Sequence, residues 1–326
     1  MNLSQIDWPA LERLRTVFLE GTASRADYWQ RETDLASYDA TFAQRIGWKW
    51  DYVLAELGRR GWEPPRGALL DWGCGSGIAH RAFLDHFGPE TVTSVNLWDR
   101  SPLAKQFAAS RARNKYPRLA VSSGLIEAPS VLLLSHVLNE LEPDQAQELA
   151  NQAARATAVI WVEAGNYECS LALIAVREQL RGRMNVVAPC THAGRCGVLA
   201  PGNERHWCHH FAPSPPEVFA DGNWARFAKL VGVDLGSLPV SFLVLDQRPV
   251  PEMPPGAMRV IGSPRVHKPH ALVFGCDASG VAERRLTRRR LPDEYRACKK
   301  AAFDVLQVWS CAGDEVLSTR PLADGP

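Results

Sequence analysis

Three groups of residues in this 326-residue chain have types and spacings suited to chemistry. The first is Asp71-x-Gly73-x-Gly75-x-Gly77. Glycines spaced by two let the backbone turn tightly, and they let a ligand lie against main-chain N–H groups at the start of a helix. Asp71 would face the ligand's amino-acid end. Asp99, 22 residues after Gly77, would accept hydrogen bonds from both hydroxyls of a ribose. The second group is Cys190, Cys196 and Cys208, spaced C-x5-C-x11-C. Thiolates on irregular backbone can wrap a metal, and a closed site needs a fourth ligand, for which Cys276, His192, His209 and His210 are candidates. Buried thiols beside loop histidines are the plain alternative. Spacing alone does not separate zinc from an iron–sulfur cluster. The third group is basic: Arg284, Arg285, Arg288, Arg289 and Arg290, then Lys299 and Lys300. Such a run suits phosphate, or it is simply a solvated face.

These groups require particular elements to position them. Ala68–Asp71 reads as a short buried strand and Ile78–Phe87 as a helix, which is the context the glycine turn needs. Thr91–Leu97, Val131–Leu134 and Thr157–Glu163 read as further strands, alternating with helices over Ser101–Lys115 and Asp144–Ala156. This alternation predicts a largely parallel, doubly wound sheet. A dinucleotide fold would show G-x-G-x-x-G, whereas glycines spaced by two behind an acid follow the pattern of class I methyltransferases. The expected ligand is therefore S-adenosylmethionine. His136 follows the third buried strand, at the carboxyl edge where open α/β sheets bind ligands, and is the candidate to touch substrate or cofactor. A loop histidine with no such role is its plain alternative. No Asn-Pro-Pro-Tyr-type motif and no Pro-Cys nucleophile names a methyl acceptor.

The organisation follows from these elements. Residues 1–66 read as an N-terminal helical region, with Leu11, Leu14, Val17 and Phe18, and then Trp48, Tyr52, Val53 and Leu57, at helical spacing. Residues 67–185 form the expected cofactor-binding core. In residues 186–326 Pro, Gly, His and Cys become dense, and a cysteine-containing metal-binding region with short strands is expected. Strand-like runs there are Val240–Leu245 and Ala271–Phe274, and Pro292–Trp309 reads as a helix. Net charge is +1, yet residues 248–300 carry twelve Lys or Arg against five Asp or Glu. No run approaches the ~18 apolar residues that span a bilayer, so no membrane partner is expected. The first thirty residues carry Asp7, Glu12, Glu20 and Asp27 and no apolar core, so a secretory or transit segment is not expected. The expected compartment is the cytoplasm, where eight cysteines are poor evidence for disulfides.

Several segments together resemble a methyltransferase-like family linked to the mitochondrial small ribosomal subunit, with bacterial members. They are Val187-Ala188-Pro189-Cys190-Thr191-His192, Cys196, and Trp207-Cys208-His209-His210-Phe211, with Trp161–Gly165 and Ser241–Leu245 as matching strand ends. The resemblance runs from about residue 40 to 310. It implies a Rossmann-like class I methyltransferase fold, and a 4Fe-4S cluster on Cys190, Cys196, Cys208 and Cys276. It also implies association with small-subunit (16S-type) rRNA. The stretch Gln307-Val308-Trp309-Ser310 departs from the family's usual ending, and Ala225–Lys229 is less basic than its counterpart. The first expectation is an S-adenosylmethionine-binding protein, an rRNA methyltransferase. The alternatives are a non-catalytic assembly factor and a small-molecule methyltransferase with structural zinc.

Overall fold

The computed structural model describes residues 6–20 and 27–322, so residues 1–5 and 21–26 of the expected helical region and 323–326 of the expected C-terminal region lie outside the described residues. Three helices come first, α1 (Trp8–Leu19), α2 (Glu32–Asp39) and α3 (Phe42–Arg59). Asp7 caps α1 by accepting from the Ala10 N–H at 3.1 Å. The short α2 has no apolar stripe to announce it. It is anchored by buried Asp34, which accepts from the N–H groups of Gln30 and Arg31 and pairs with Arg13. The alternating region follows: β1 (Gly67–Trp72), α4 (Ile78–Phe87), β2 (Val92–Trp98), α5 (Pro102–Lys115), β3 (Ala120–Ser123), β4 (Val131–Ser135), α6 (Pro143–Ala153) and β5 (Ala158–Ala164). Then come α7 (Tyr167–Leu180), β6 (Asn185–Ala188), β7 (His210–Ala212), α8 (Glu217–Ala220), α9 (Gly222–Val231) and β8 (Leu238–Asp246). The chain ends with β9 (Ala257–Val266), β10 (His270–Asp277), β11 (Gly280–Thr287), α10 (Pro292–Lys299), β12 (Leu306–Ala312) and β13 (Glu315–Pro321). No helix among the described residues is long and apolar enough to cross a membrane.

The chain divides into two units. One takes residues up to 55, 64–164 and 211–240, and the other 56–63, 165–210 and 241 onward. In the first unit the strands run parallel in the order β3-β2-β1-β4-β5, which makes it a Rossmann-like α/β fold. The near-continuous apolar runs of β4 and β5 are buried along almost their whole length, as strands covered on both faces must be. Leu11 of α1 packs with Trp224, Phe227 and Val231 of α9. The strand order reverses between β1 and β4, and a crevice opens at the carboxyl ends beside such a reversal.

In the second unit β6 pairs antiparallel with β8 from Asn185↔Asp246 onward. β9 to β13 close into a barrel around Met258, Val260, Val273, Leu286, Trp309 and Val316. This barrel corrects two expectations. The helix at Pro292–Trp309 stops at Lys299, because Ala301 takes a left-handed φ of 52° and Leu306, Val308 and Trp309 are needed as a barrel strand. The strand-like run at Ala271–Phe274 lengthens to β10, and three other barrel strands, β9, β11 and β13, were not expected. The sequence of β11, Gly-Val-Ala-Glu-Arg-Arg-Leu-Thr, has one fully buried residue, so it lacks the apolar alternation that marks a strand.

Candidate functional site

The first unit holds a cavity of about 500 Å³ at the carboxyl ends of its strands. Its lining includes Gly73, Gly75, Asp99, His136 and Glu140, so four of the expected residues meet there with one that was not expected. Two N–H groups of the turn, those of Gly73 and Cys74, donate to the Trp98 carbonyl at 2.8 and 3.0 Å. Only glycine fits at two corners. At Gly73 (φ 69°) an added Cβ would stand 2.7 Å from Val137, and at Gly77 (φ 82°) 2.4 Å from the His80 ring. Asp99 closes the turn: one carboxylate oxygen accepts from Gly75 N–H and the other from Ser101 N–H, each at 2.9 Å. Burial pushes its carboxyl up, and these two N–H bonds pull it back. Trp72 and Trp98, ends of neighbouring strands, stack at 4.5 Å in the cavity wall.

Asp71 is not in that wall. It is fully buried beneath the turn, where one oxygen bonds His80 Nδ1 at 2.7 Å. Gly77 is likewise outside the lining, as the left-handed residue that starts α4. Both lie outside the lining and shape the turn, and the second Asp71 oxygen is buried without a partner among the described residues.

His136 sits at the end of β4 with a left-handed φ of 55°, its N–H donating to Val162. Its Nε2 is sealed from solvent without a partner among the described residues. Burial, and behind it Lys49 and Arg45, hold the imidazole neutral, well below its ordinary range. The left-handed backbone places His136 in the lining of the cavity.

Glu140 is the residue that motif reading missed. Burial pushes its carboxyl up to about 7, against the pull of Tyr28 and Arg100. The Tyr28 hydroxyl donates to it at 3.0 Å, the Arg100 guanidinium stands 3.7 Å away, and that guanidinium also lies over the Tyr28 ring at 5.2 Å. All three side chains line the cavity. The signal was present, since Glu140 lies in the same strand-end loop as His136; Tyr28 carried none. The loop itself is held by Glu163 at the end of β5, within the strand end Trp161–Gly165 that carries part of the resemblance. One Glu163 oxygen accepts from Val137 N–H, Leu138 N–H and Trp161 Nε1 at 2.8–3.1 Å, and burial pushes this carboxyl up to about 7.

The second unit gathers the four candidate ligands Cys190, Cys196, Cys208 and Cys276. Cys196, Cys208 and Cys276 pack in one cluster with Ile174, Val198 and Ile261. Burial raises all three thiols, and the charges of neighbouring cysteines, Cys190 included, raise them further. The four are thus electrostatic neighbours. Arg177 donates to the Cys190 sulfur at 3.2 Å and to the His192 carbonyl at 3.0 Å. Buried Arg60 donates to the carbonyls of Val187, Pro189 and Cys190, and pairs with Glu56 at 2.8 Å. Ser170 and Ser241 both donate to the Cys208 carbonyl. His192 and His210 stand 4.0 and 3.7 Å from Cys276 and Cys208, while His209 stacks on Trp207. Among the described residues no three or more His, Cys, Asp or Glu side chains converge to hold a single metal ion.

The basic run divides between elements. Arg284 and Arg285 lie on β11, Arg288–Arg290 in the turn after it, and Lys299 and Lys300 at the end of α10. Acidic neighbours answer part of it, Arg285 facing Asp314 at 3.5 Å and Arg290 facing Glu315 at 3.4 Å.

Among solved structures the chain is similar to an S-adenosylmethionine-dependent methyltransferase from Leishmania major, at 12% identity over 73% of this chain and 83% of that one, with a TM-score of 0.37. It is also similar to TrmK from M. capricolum, solved with S-adenosyl-homocysteine, at 7% identity over 61% and 69% of the two chains, with a TM-score of 0.32. No curated protein matches it in sequence. A family model does match, over residues 53–306, a span that takes in the glycine turn, all four cysteines and the basic run. The chain belongs to the family described as mitochondrial small ribosomal subunit Rsm22.

Proposed function

We propose that the chain binds S-adenosylmethionine in the cavity of the first unit and methylates RNA of the small ribosomal subunit or its precursor. The observation that carries this reading is the convergence of the glycine turn, Asp99, His136 and Glu140 on one cavity beside the strand-order reversal. Its volume is within the range of small-molecule sites. The glycine turn lets a cofactor approach the backbone closely, and the paired tryptophans Trp72 and Trp98 offer it an aromatic wall. Methyl transfer to a nitrogen or oxygen sheds a proton. A carboxylate near 7 is suited to take it, since general bases work best with pKa values close to the working pH. His136, held neutral, lines the same cavity. The family's link to the small ribosomal subunit supports the choice of RNA.

We propose a 4Fe-4S cluster as the metal group of the second unit, with zinc as the alternative, and the Arg177 guanidinium at Cys190 would offset its negative charge. Cys190, Cys196, Cys208 and Cys276 would hold it, and it would supply cross-linking of loop to barrel or one-electron chemistry.

The absence of an acceptor motif after β4 keeps a non-catalytic assembly role as the second reading. Incubating purified small subunits with the chain and methyl-labelled S-adenosylmethionine separates the two. Label in the RNA, lost with Glu140→Gln, supports transfer. Bound cofactor with no label in any RNA supports assembly alone.

A further inference from the structure

The barrel's connectivity carries a binding preference of its own. β9, β10 and β11 form an antiparallel meander, β13 closes parallel against β11, β12 joins β13 to β9, and α10 lies between β11 and β12. Five strands in this order, with a helix after the third, make an OB-fold. That architecture takes its ligand on the face of its second and third strands and on the loops after its first and fourth. Here those are β10 and β11, residues 267–269 and residues 313–314.

Strand alternation identifies the outer face. Ala271 and Val273 point into the barrel core, so Leu272, Phe274 and Cys276 point out. Phe274 and Cys276 are covered, because the His206 ring lies 4.1 Å from Phe274 and both pack against Cys196 and Val198. The other end is open. There Leu272 pairs with Arg265 on one side and Arg285 on the other, which sets the two cations in one row across three strands. Their side chains are 61% and 43% exposed. The first-to-second-strand loop adds exposed Lys268 and the His267 ring, 5.0 Å from the ring of His270 at the start of β10. The Arg288 N–H donates to Pro269, which seats the Arg288–Arg290 turn against this loop, and the Arg288 guanidinium lies 5.9 Å from the Tyr295 ring. Glu283 and Asp314 answer Arg265 and Arg285, and Lys268, Arg288 and Arg289 add positive charge beyond them.

We propose that this open end of the β10–β11 face binds single-stranded RNA, an inference that rests on the RNA-directed reading above and gives it a surface. Cations spaced along a strip take successive phosphates, and flat rings beside them take unstacked bases. A duplex keeps its bases inside and offers the rings nothing.

The test uses the full chain and a labelled, unstructured RNA of about twelve nucleotides, within the roughly 4–16 that an OB-fold covers. Anisotropy is followed across a salt series, against the same sequence as a duplex. Wild type should bind the single strand more tightly. Lys268→Ala, Arg285→Ala and Arg288→Ala together should flatten the log–log salt slope by about 2, at about 0.7 for each phosphate no longer neutralised. His267→Ala with His270→Ala should weaken single-strand binding about tenfold and leave the slope alone. Arg285→Lys with Arg288→Lys keeps the charges and should keep the slope, which shows that the effect is not misfolding. A slope unchanged in the triple variant, or equal affinity for duplex, overturns the surface. In that case rRNA binding by both proteins leaves the RNA-directed reading standing. A wild type that binds neither the oligonucleotide nor small-subunit rRNA overturns both.

Discussion

Glu140 shows what a single residue contributes and why motif reading passed over it. It belongs to no glycine turn or cysteine array, and its partner Tyr28 lies 112 residues away in sequence. Burial, against the pull of Tyr28 and Arg100, pushes its carboxyl up to about 7, which suits the proposed role of proton acceptor. If it takes the acceptor's proton, the rate of methyl transfer should rise with pH through about 7, as the carboxylate forms. Glu140→Gln should lose roughly 10²–10⁴-fold in kcat, flatten that profile, and leave cofactor affinity unchanged. Stopped assays over pH 5.5–8.5 check it, and a variant with the wild-type profile removes Glu140 from proton transfer. Asp71 is the opposite case. Its place before the glycines was legible, but its burial against His80 depends on which way β1 turns its side chain, which spacing does not disclose.

At the scale of elements, the parallel sheet was legible because buried strands and intervening helices carry different periodicities, as at Val131–Leu134 and Ser101–Lys115. Polar β11 and the helix stop at Ala301 were not, because tertiary contacts overrode weak local preference there. The strand-end loop at 136–140 depends on Glu163, whose bonds set two expectations. Glu163→Ala would strand the buried N–H groups of Val137 and Leu138, at about 1–3 kcal/mol each, and chemical denaturation should register the loss. Glu163→Gln keeps an accepting oxygen and removes the titration. Because folding raises this carboxyl from about 4.5 to about 7, its contribution to stability is complete below pH 4.5 and is lost as pH rises through 7. The stability of Glu163→Gln relative to wild type should therefore improve between pH 4.5 and 7. A constant difference across that window would show that Glu163 is ionised in the fold.

At the scale of the whole molecule, the cavity proposed for the cofactor draws its lining from the first unit alone, and the four candidate cysteine ligands belong to the second. Protein prepared without oxygen should contain iron and sulfide in near-equal amounts. Cys276→Ser should lose that iron and lower the protease resistance of residues 165–210 and 241 onward, since metal binding and folding are coupled. Cofactor affinity should survive the change. Stoichiometric zinc after the same handling would instead favour a zinc site. The cysteine spacing was legible from the start, whereas the barrel that carries Cys276 emerges only when five strands, of which β11 and β13 bury one residue each, close on one another. The central claim, that the first unit is a cofactor site, is tested most directly by calorimetry with S-adenosyl-homocysteine, the product and so a ligand that cannot react. Wild type should bind one equivalent. Asp99→Ala, which loses the ribose contacts and the Gly75 and Ser101 bonds together, should bind at least tenfold more weakly, roughly 1.5–3 kcal/mol for a hydrogen bond to a charged group. No heat of binding in the wild type, or equal affinity in the two proteins, would contradict the account.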